Sequence, residues 1–317
     1  TLFSPHDVPG LYDSFGTDGF DELYTKYEQD ESIPQHRIAA QTLILDLLKE
    51  RAETGRIYIM NIDHCNSHSS FKDQVFMSNL CQEITLPTHP LTHIDDLVGE
   101  IALCILSAVN VGKINSDKEL EELCELAVRG LEELIDYQDY PVKAAEIATK
   151  ARRSLGIGYI GLAHYLAKLG FSYGSQEAWD AVHGLSESFQ YYLLKASNKI
   201  AEEKGHCEYF GRTKYADGIL PIDTYKKDVD EITSHKLDHD WDSLRTSIKQ
   251  HGLRHSTLSA QMPSESSSVV CNATNGIEPP RDYLSVKKSK KGPLKQVVPS
   301  YGSLKNNYTL LWDMESN

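Results

Sequence analysis

The 317 residues carry 32 Lys and Arg against 46 Asp and Glu, a formal charge of -14 at pH 7, which excludes the basic stripe that a nucleic-acid surface needs to neutralise phosphates. Hydrophobic residues make up 40% and charged residues 25%, the balance of a globular chain long enough to bury a sizeable core. No apolar run reaches the roughly 18 residues of a membrane span, no signal peptide opens the chain, and six irregularly spaced cysteines suit a reducing cytosol better than a secreted disulfide scaffold.

The chain starts at Thr1, without a methionine, and enters patterned sequence at once, so a piece of something longer is expected. Residues 36–54 place aliphatic side chains at helical spacing among good helix formers, and Gly55 predicts the stop. Residues 56–63 (RIYIMNID) have the β-branched and aromatic character of a strand. Ser116 and Glu119 have the capping-box spacing, and Leu120, Leu123, Cys124, Ala127, Leu131, Leu134 and Ile135 then form one apolar helical face. Residues 176–204 read as a long helix ended by Gly205, with Gly184 as an irregularity within it. A short strand is expected at 254–262, followed by Pro263 and a serine cluster. The tail turns irregular after Asn275, and its basic run at 287–291 (KKSKK) reads as a solvated loop. Helices alternating with short apolar strands predict an α/β layer or barrel.

Three patterns are weak carriers of chemistry. Gly156, Gly158 and Gly161 match the dinucleotide fingerprint, but the preceding residues 150–155 (KARRSL) are charged where a buried parallel strand is needed, so the triplet reads as close helix packing. A nucleotide-dependent oxidoreductase remains the reading from another class, and saturable nicotinamide binding would favour it. His64, Cys65 and His68 lie close together, but no second cluster offers the further ligands of a tetrahedral metal, and polar residues leaving a strand account for them. The sequons at Asn272 and Asn307 are idle without a secretory signal.

Residues 78–83 (SNLCQE) differ in kind. If extended, they project Asn79, Cys81 and Glu83 to one face and Leu80 and Gln82 to the other. No helix N-terminus or basic partner lies nearby in sequence to favour a thiolate. A neutral, buried S–H beside a general base suits hydrogen-atom chemistry better than nucleophilic attack. On spacing alone, a structural strand edge is the better reading.

Further stretches settle on one family. Residues 3–12 (FSPHDVPGLY), 57–58, 63–66 (DHCN), 78–81 (SNLC), 100–104 (EIALC), 136–141 (DYQDYP), 218–226 (GILPIDTYK), 263–265 (PSE) and 272–281 (NATNGIEPPR) resemble, in order, the large (α) subunit of class Ia ribonucleotide reductases, bacterial and phage members above all. The resemblance covers essentially the whole chain. It implies that residues 1–317 are the later part of a ten-stranded α/β barrel, two antiparallel halves of five parallel strands around a loop carrying the radical cysteine. The amino-terminal nucleotide-activity domain and carboxy-terminal redox tail would lie outside.

Carried over by position, Cys81 matches the cysteine that becomes a thiyl radical and abstracts the 3′-hydrogen of the substrate ribose. Glu83 matches the base for the 3′-hydroxyl proton, and Asn79 the amide that hydrogen-bonds the sugar. Cys104 matches one of two cysteines that deliver reducing equivalents and end as a disulfide; its partner would lie before Thr1. The substrate diphosphate would sit on Ser264, Glu265, Ser266 and Ser267, with Glu265 contributing mainly its backbone N–H. Cys65, Cys124, Cys207 and Cys271 match no role and read as structural thiols. The family's radical-transfer tyrosines and redox cysteines would lie beyond Asn317, and Tyr191 and Tyr192 read as packing.

The resemblance further implies a reductase of ribonucleoside diphosphates with no cofactor bound in this chain. A separate di-iron–tyrosyl small (β) subunit would supply the radical, and thioredoxin or glutaredoxin the electrons. An α–α dimer is implied, with ATP and deoxynucleotide effectors bound outside this segment, no nucleic-acid or membrane partner, and a cytoplasmic location. The alternative is a fragment that is inactive until assembled with its missing segments.

Overall fold

The structure, a computed structural model, describes residues 1–103, 105–289 and 292–314. The chain divides into two units, Thr1–Ser69 with Gln74–Pro87, and Ser70–Asp73 with Thr88–Asn317.

In the first unit, β1 (Leu2–Phe3) pairs antiparallel with β2 (Gln35–His36). Helix α1 (Phe20–Gln29) is tied to the start of the chain by tyrosine hydroxyls, Tyr24 donating to the Thr1 carbonyl at 2.7 Å and Tyr27 to that of Pro9 at 2.6 Å. Phe3 meets Tyr24 and Tyr12 stacks on Phe76, and the buried apolar residues of this unit are Val8, Leu11, Val75, Ile84 and Leu86. Helix α2 (Ala40–Thr54) starts four residues later than expected and ends where expected. Gly55 adopts φ +66°, and its N–H bonds the Arg51 carbonyl at 2.8 Å. Its Leu43, Ile44, Leu45 and Leu48 are exposed. The strand expected over 56–63 does not form. Residues 56–61 are non-regular and Ile62 opens α3 (Ile62–His68), because β propensity expresses itself only against a partner, and among the described residues none pairs here.

The second unit is built on a parallel pair, β3 (Ile105–Asn110) and β4 (Leu155–Ile160), with Ile105 opposite Leu155 and Asn110 opposite Ile160. A parallel pair needs a long crossover. Here α4 (Asp117–Tyr137) and α5 (Lys143–Arg152) supply it. The Ser116 hydroxyl accepts from the Glu119 N–H at 3.2 Å, while the Glu119 carboxylate accepts from Asn115, so one half of the capping box forms and the other shifts by a residue. Of the predicted face, Leu120, Cys124, Leu131 and Ile135 are buried with Val128, and Leu134 is exposed. After α6 (Leu162–Leu169) comes α7 (Gln176–Lys204), which has the expected bounds and runs unbroken through Gly184. A side chain at Gly184 would meet the His235 ring at 3.1 Å, so close approach explains that glycine. Helices α4 and α7 run side by side in the same direction, shown by the rungs Glu121–Lys195, Glu125–Lys199 and Arg129–Glu203. Their inner faces bury Leu193, Leu194 and Ile200 with Ile157 of β4.

Two single-turn helices, α8 (Pro221–Thr224) and α9 (Val229–Ile232), lead to α10 (Trp241–His251). The strand expected at 254–262 is present as a backbone track along β4. Ser259 bridges Ile157 in parallel, and the Ile157 N–H donates to the Leu258 carbonyl at 2.7 Å. Helix α11 (Glu265–Cys271) follows Pro263. The tail expected to be irregular instead forms an antiparallel hairpin of β5 (Leu284–Ser289) and β6 (Gly292–Val297), then α12 (Tyr301–Leu304). Lys287 and Lys288 thus lie on a strand and not in a solvated loop; the next two lysines lie outside the described residues.

The architecture is α/β. The described strands form three two-stranded sheets and do not close into a barrel. Among the described residues no helix is long and apolar enough to cross a membrane.

Candidate active site

The first candidate segment begins from a fixed point. Val75 is fully buried, and Asn66 holds its backbone on both sides, accepting its N–H at 2.7 Å and donating to its carbonyl at 3.0 Å. The chain then reaches a tight turn. The Asn79 N–H donates to the Ile84 carbonyl at 3.1 Å, the Ile84 N–H returns to Asn79 Oδ1 at 3.1 Å, and the Gln82 N–H closes on the Asn79 carbonyl at 3.2 Å. An asparagine that bonds its own local backbone competes with a strand ladder, and here it wins. The extended run that would align Asn79, Cys81 and Glu83 on one face is therefore absent.

The turn keeps the three residues within five positions of one another. Gln82 takes φ +63°, a left-handed conformation costing about 1–2 kcal/mol for a residue with a side chain. Its amide donates to the Ile59 carbonyl at 3.0 Å, which helps to hold that conformation. Backbone strain of this kind concentrates where a side chain must be presented. The residues presented are Leu80, 85% exposed, and Cys81, whose thiol is exposed and not buried as expected. Oε2 of Glu83 is shut off from solvent with no hydrogen-bond partner. A buried acceptor left open carries a desolvation penalty that an incoming donor would relieve. The turn thus holds an exposed cysteine, an asparagine anchored to backbone and a carboxylate oxygen without a partner within five residues.

Cys104 lies outside the described residues; β3 begins at the next position.

The second segment is the start of α11. Ser264 is its N-cap, buried and without a side-chain cap. Its hydroxyl donates to the Met262 carbonyl at 3.1 Å, and the Ser267 and Ser268 hydroxyls donate to the Ser264 carbonyl at 3.2 and 2.6 Å. Those protons are directed to backbone, so the donors left facing outward are the Ser266 hydroxyl and the first-turn N–H groups of Glu265, Ser266 and Ser267. The Glu265 carboxylate, an unwelcome neighbour for an anion, is ion-paired to Lys287 Nζ at 3.0 Å. The same Nζ stands 3.5 Å from Ser266 Oγ. Lys287 is a residue that the sequence reading missed, since a basic run in an acidic chain gives no sign that a hairpin will carry it back to a helix start. Beside it a cavity of about 450 Å³ is lined by Glu265, Ser268, Thr274, Arg281, Lys287 and Lys288 among others.

The remaining candidates resolve into structure. Gly156 and Gly158 lie within β4, and a side chain at Gly158 would sit 2.3 Å from the Ala260 carbonyl, so the close packing is strand against strand and not against a helix. Gly161 turns the chain at φ +83°. Its N–H and that of Leu162 bond the Thr274 and Gly276 carbonyls, so these two donors are already taken. Among the described residues no group of three or more His, Cys, Asp and Glu is placed to hold a metal ion. Cys124 and Cys207 are buried, and burial pushes both thiols up to about 12, as inert packing thiols require. Cys65 is half-buried, whereas Cys271 is exposed, so packing does not account for it. Tyr192 is buried with its hydroxyl on Asp117, and Tyr191 stacks on His239 at 4.4 Å.

Comparison with known proteins decides the family. The family described as "Ribonucleotide reductase, barrel domain" matches residues 1–315. The chain belongs to that family. It is 60% identical to the ribonucleoside-diphosphate reductase subunit alpha of Haemophilus influenzae, covering 100% of this chain and 43% of that protein. It is 58% identical to ribonucleoside-diphosphate reductase 1 subunit alpha of Escherichia coli, covering 100% of this chain and 42% of that protein. It is 45% identical to subunit alpha of Enterobacteria phage T4, covering 99% of this chain and 42% of that protein. The chain thus spans about two-fifths of the length of the curated relatives it matches. Its ribonucleotide reductase barrel segment contains both the turn at Cys81 and the serine helix start.

Proposed function

We propose that this chain is the catalytic barrel segment of an α subunit that reduces ribonucleoside diphosphates to 2′-deoxyribonucleoside diphosphates through a thiyl radical on Cys81. The observation that supports this reading is the turn of residues 79–84, which holds an exposed cysteine two residues along the chain from a locked asparagine and from a carboxylate oxygen with no partner. The family relationship supports it.

A ribose C2′–OH bond resists heterolysis until a radical forms on the neighbouring carbon, so the protein's task is to place the thiyl and to manage protons. The Cys81 sulfur radical takes the hydrogen atom from C3′, forming S–H and leaving a carbon radical. Glu83 accepts the 3′-hydroxyl proton while the Asn79 amide holds the sugar. The 2′-hydroxyl leaves as water with a proton from a thiol. Cys104 and a second cysteine, supplied by the part of the relatives' length outside this chain, give two electrons and two protons and end as a disulfide. Cys81 returns its hydrogen atom to C3′ and is again a radical. The balance is one ribonucleotide and one dithiol to one deoxyribonucleotide, one disulfide and one water. The diphosphate binds the free N–H groups of Glu265, Ser266 and Ser267 with the Ser266 hydroxyl, Lys287 adding a positive charge, while Ser264 shapes the turn.

On this reading the segment completes a ten-stranded barrel with the rest of the subunit. A β subunit with a di-iron–tyrosyl centre supplies the radical, thioredoxin or glutaredoxin renews the dithiol, the α subunits pair, and ATP and deoxynucleotide effectors bind elsewhere. The setting is the cytoplasm.

The test uses the whole α subunit that contains this segment, with its radical-supplying partner. Cys81→Ser should abolish deoxyribonucleotide formation with substrate binding nearly intact, since an O–H bond is too strong for the relay. Glu83→Gln should lower kcat mainly, and Ser266→Ala, which removes the one hydroxyl left for the diphosphate, should raise KM mainly. Turnover by Cys81→Ser above a few per cent of the parent would sink the assignment.

A further inference from the structure

Four charged side chains in the second unit form a closed square. Arg152, 3% exposed in the last turn of α5, donates from Nε to Glu100 Oε2 at 2.7 Å and sets Nη1 2.9 Å from Asp73 Oδ2. Arg212 repeats the pattern from the other side, with Nε 2.8 Å from Asp73 Oδ2 and Nη1 3.2 Å from Glu100 Oε1. The contacts to Asp73 are close but off the hydrogen-bond axis, so charge holds them rather than alignment. The Tyr209 ring lies against both guanidinium groups, its centroid 5.2 and 4.3 Å from their central carbons. Two positive and two negative charges cancel, which allows Arg152 and Glu100 to be buried at all. A buried ion cluster is nonetheless weak evidence of a role in stability, because apolar side chains could fill the same volume.

The square's place along the chain suggests another role. The chain leaves the second unit after Asp73 and re-enters it at Thr88. On the departing side, the Lys72 N–H donates to the Arg212 carbonyl at 2.9 Å and the Lys214 N–H to that of Ser70 at 2.7 Å. On the returning side, His89 and Glu100 exchange both backbone hydrogen bonds, at 3.1 and 3.0 Å. Asp73 and Glu100 therefore stand at the two stems of the excursion that carries Asn79, Cys81 and Glu83. Glu100 also lies four residues before Cys104.

We propose that Arg152 and Arg212 are positioning residues of the reductase: by binding Asp73 and Glu100 together they close the base of the Cys81 excursion. This rests on the function proposed above. Hydrogen-atom transfer to sulfur is sensitive to displacement, and a misplacement of about 1 Å can lower a rate about 100-fold. Neither arginine needs to touch substrate to exert that control. Lysine can keep the charge at either position but cannot span two carboxylates as a planar fork does.

The experiment uses the full α subunit with its radical-supplying partner, a 3′-deuterated ribonucleoside diphosphate, and the variants Arg152→Gln and Arg152→Lys. Arg152→Gln should lower kcat about 10–100-fold, leave KM within about twofold, and enlarge the deuterium isotope effect on kcat, because hydrogen abstraction becomes the slow step. Arg152→Lys should recover part of both. A purely structural role would reduce the active fraction and scale kcat with the isotope effect unchanged, and that result overturns the proposal. Should Arg152→Gln fail to fold, Arg212→Gln, on the 40% exposed side of the square, gives the same readout. The two readings fail separately. An active Cys81→Ser enzyme defeats the reductase reading, whereas an inactive one beside an unchanged isotope effect in the arginine variants defeats only the positioning role.

Discussion

Replacing Glu132 with Gln tests how the core of the second unit tolerates charge. Glu132 projects from α4 with its side chain 1% exposed and accepts three donors: Arg153 Nε at 2.7 Å, Arg254 Nε at 2.7 Å and His255 Nε2 at 3.0 Å. Burial works against the charged carboxyl, but His255, Arg153 and Arg254 outweigh it and hold the group well below the usual carboxylate range. His255 is fully buried and passes the chain on to Ser197 Oγ at 2.9 Å. A glutamine keeps the volume but removes the negative charge, and its amide NH₂ would face donors. Arg153 would keep Asp136 at 2.8 Å, whereas Arg254 would lose its carboxylate partner. Removing one partner from a buried pair costs about 3–5 kcal/mol, and at about 2–4 °C per kcal/mol the melting temperature should fall by about 6–20 °C. The assay is thermal unfolding followed by circular dichroism at pH 7.5 on the parent and Glu132→Gln chains. A fall of less than about 2 °C would show that the network contributes no net binding of α4 to residues 254–255, and the argument would be wrong.

Two further outcomes follow from the same geometry. Gly158→Ala drives a methyl group to 2.3 Å from the Ala260 carbonyl, a backbone atom that cannot swing aside; it should cost at least the 1–3 kcal/mol typical of overpacking, read as a lower urea midpoint with unchanged slope, and an unchanged midpoint would refute it. Burial, helped by the Arg153 and Arg254 charges, holds His255 below its ordinary value against the pull of Glu132. The unfolded chain therefore takes up a proton below about pH 6.5 that the folded chain refuses, so stability should be level from pH 7 to 8 and fall from pH 6.5 towards 5. His255→Gln should flatten that fall, and an equal slope in both proteins would assign it elsewhere.

Much of the chain was legible locally because the signals were local. Gly55 and Gly205 end α2 and α7 because a glycine can take the positive φ that closes a helix. The spacing from Leu120 to Ile135 fixes one face of α4 whatever packs on it. The family was legible from its motifs, among them the stretch that holds the proposed site residues Asn79, Cys81 and Glu83. Their geometry was not. Residues 56–63 carry strand propensity, but a strand exists only when a second one donates and accepts hydrogen bonds, and that depends on distant sequence. The turn at Asn79 was hidden for the opposite reason, since a side-chain amide can outcompete the ladder that its neighbours' pattern suggests. Lys287 at the start of α11 and the Asp73–Arg152–Glu100–Arg212 square had no sequence signal at all. They join residues separated by tens to more than a hundred positions, and a charge reveals its partner only once the chain has folded.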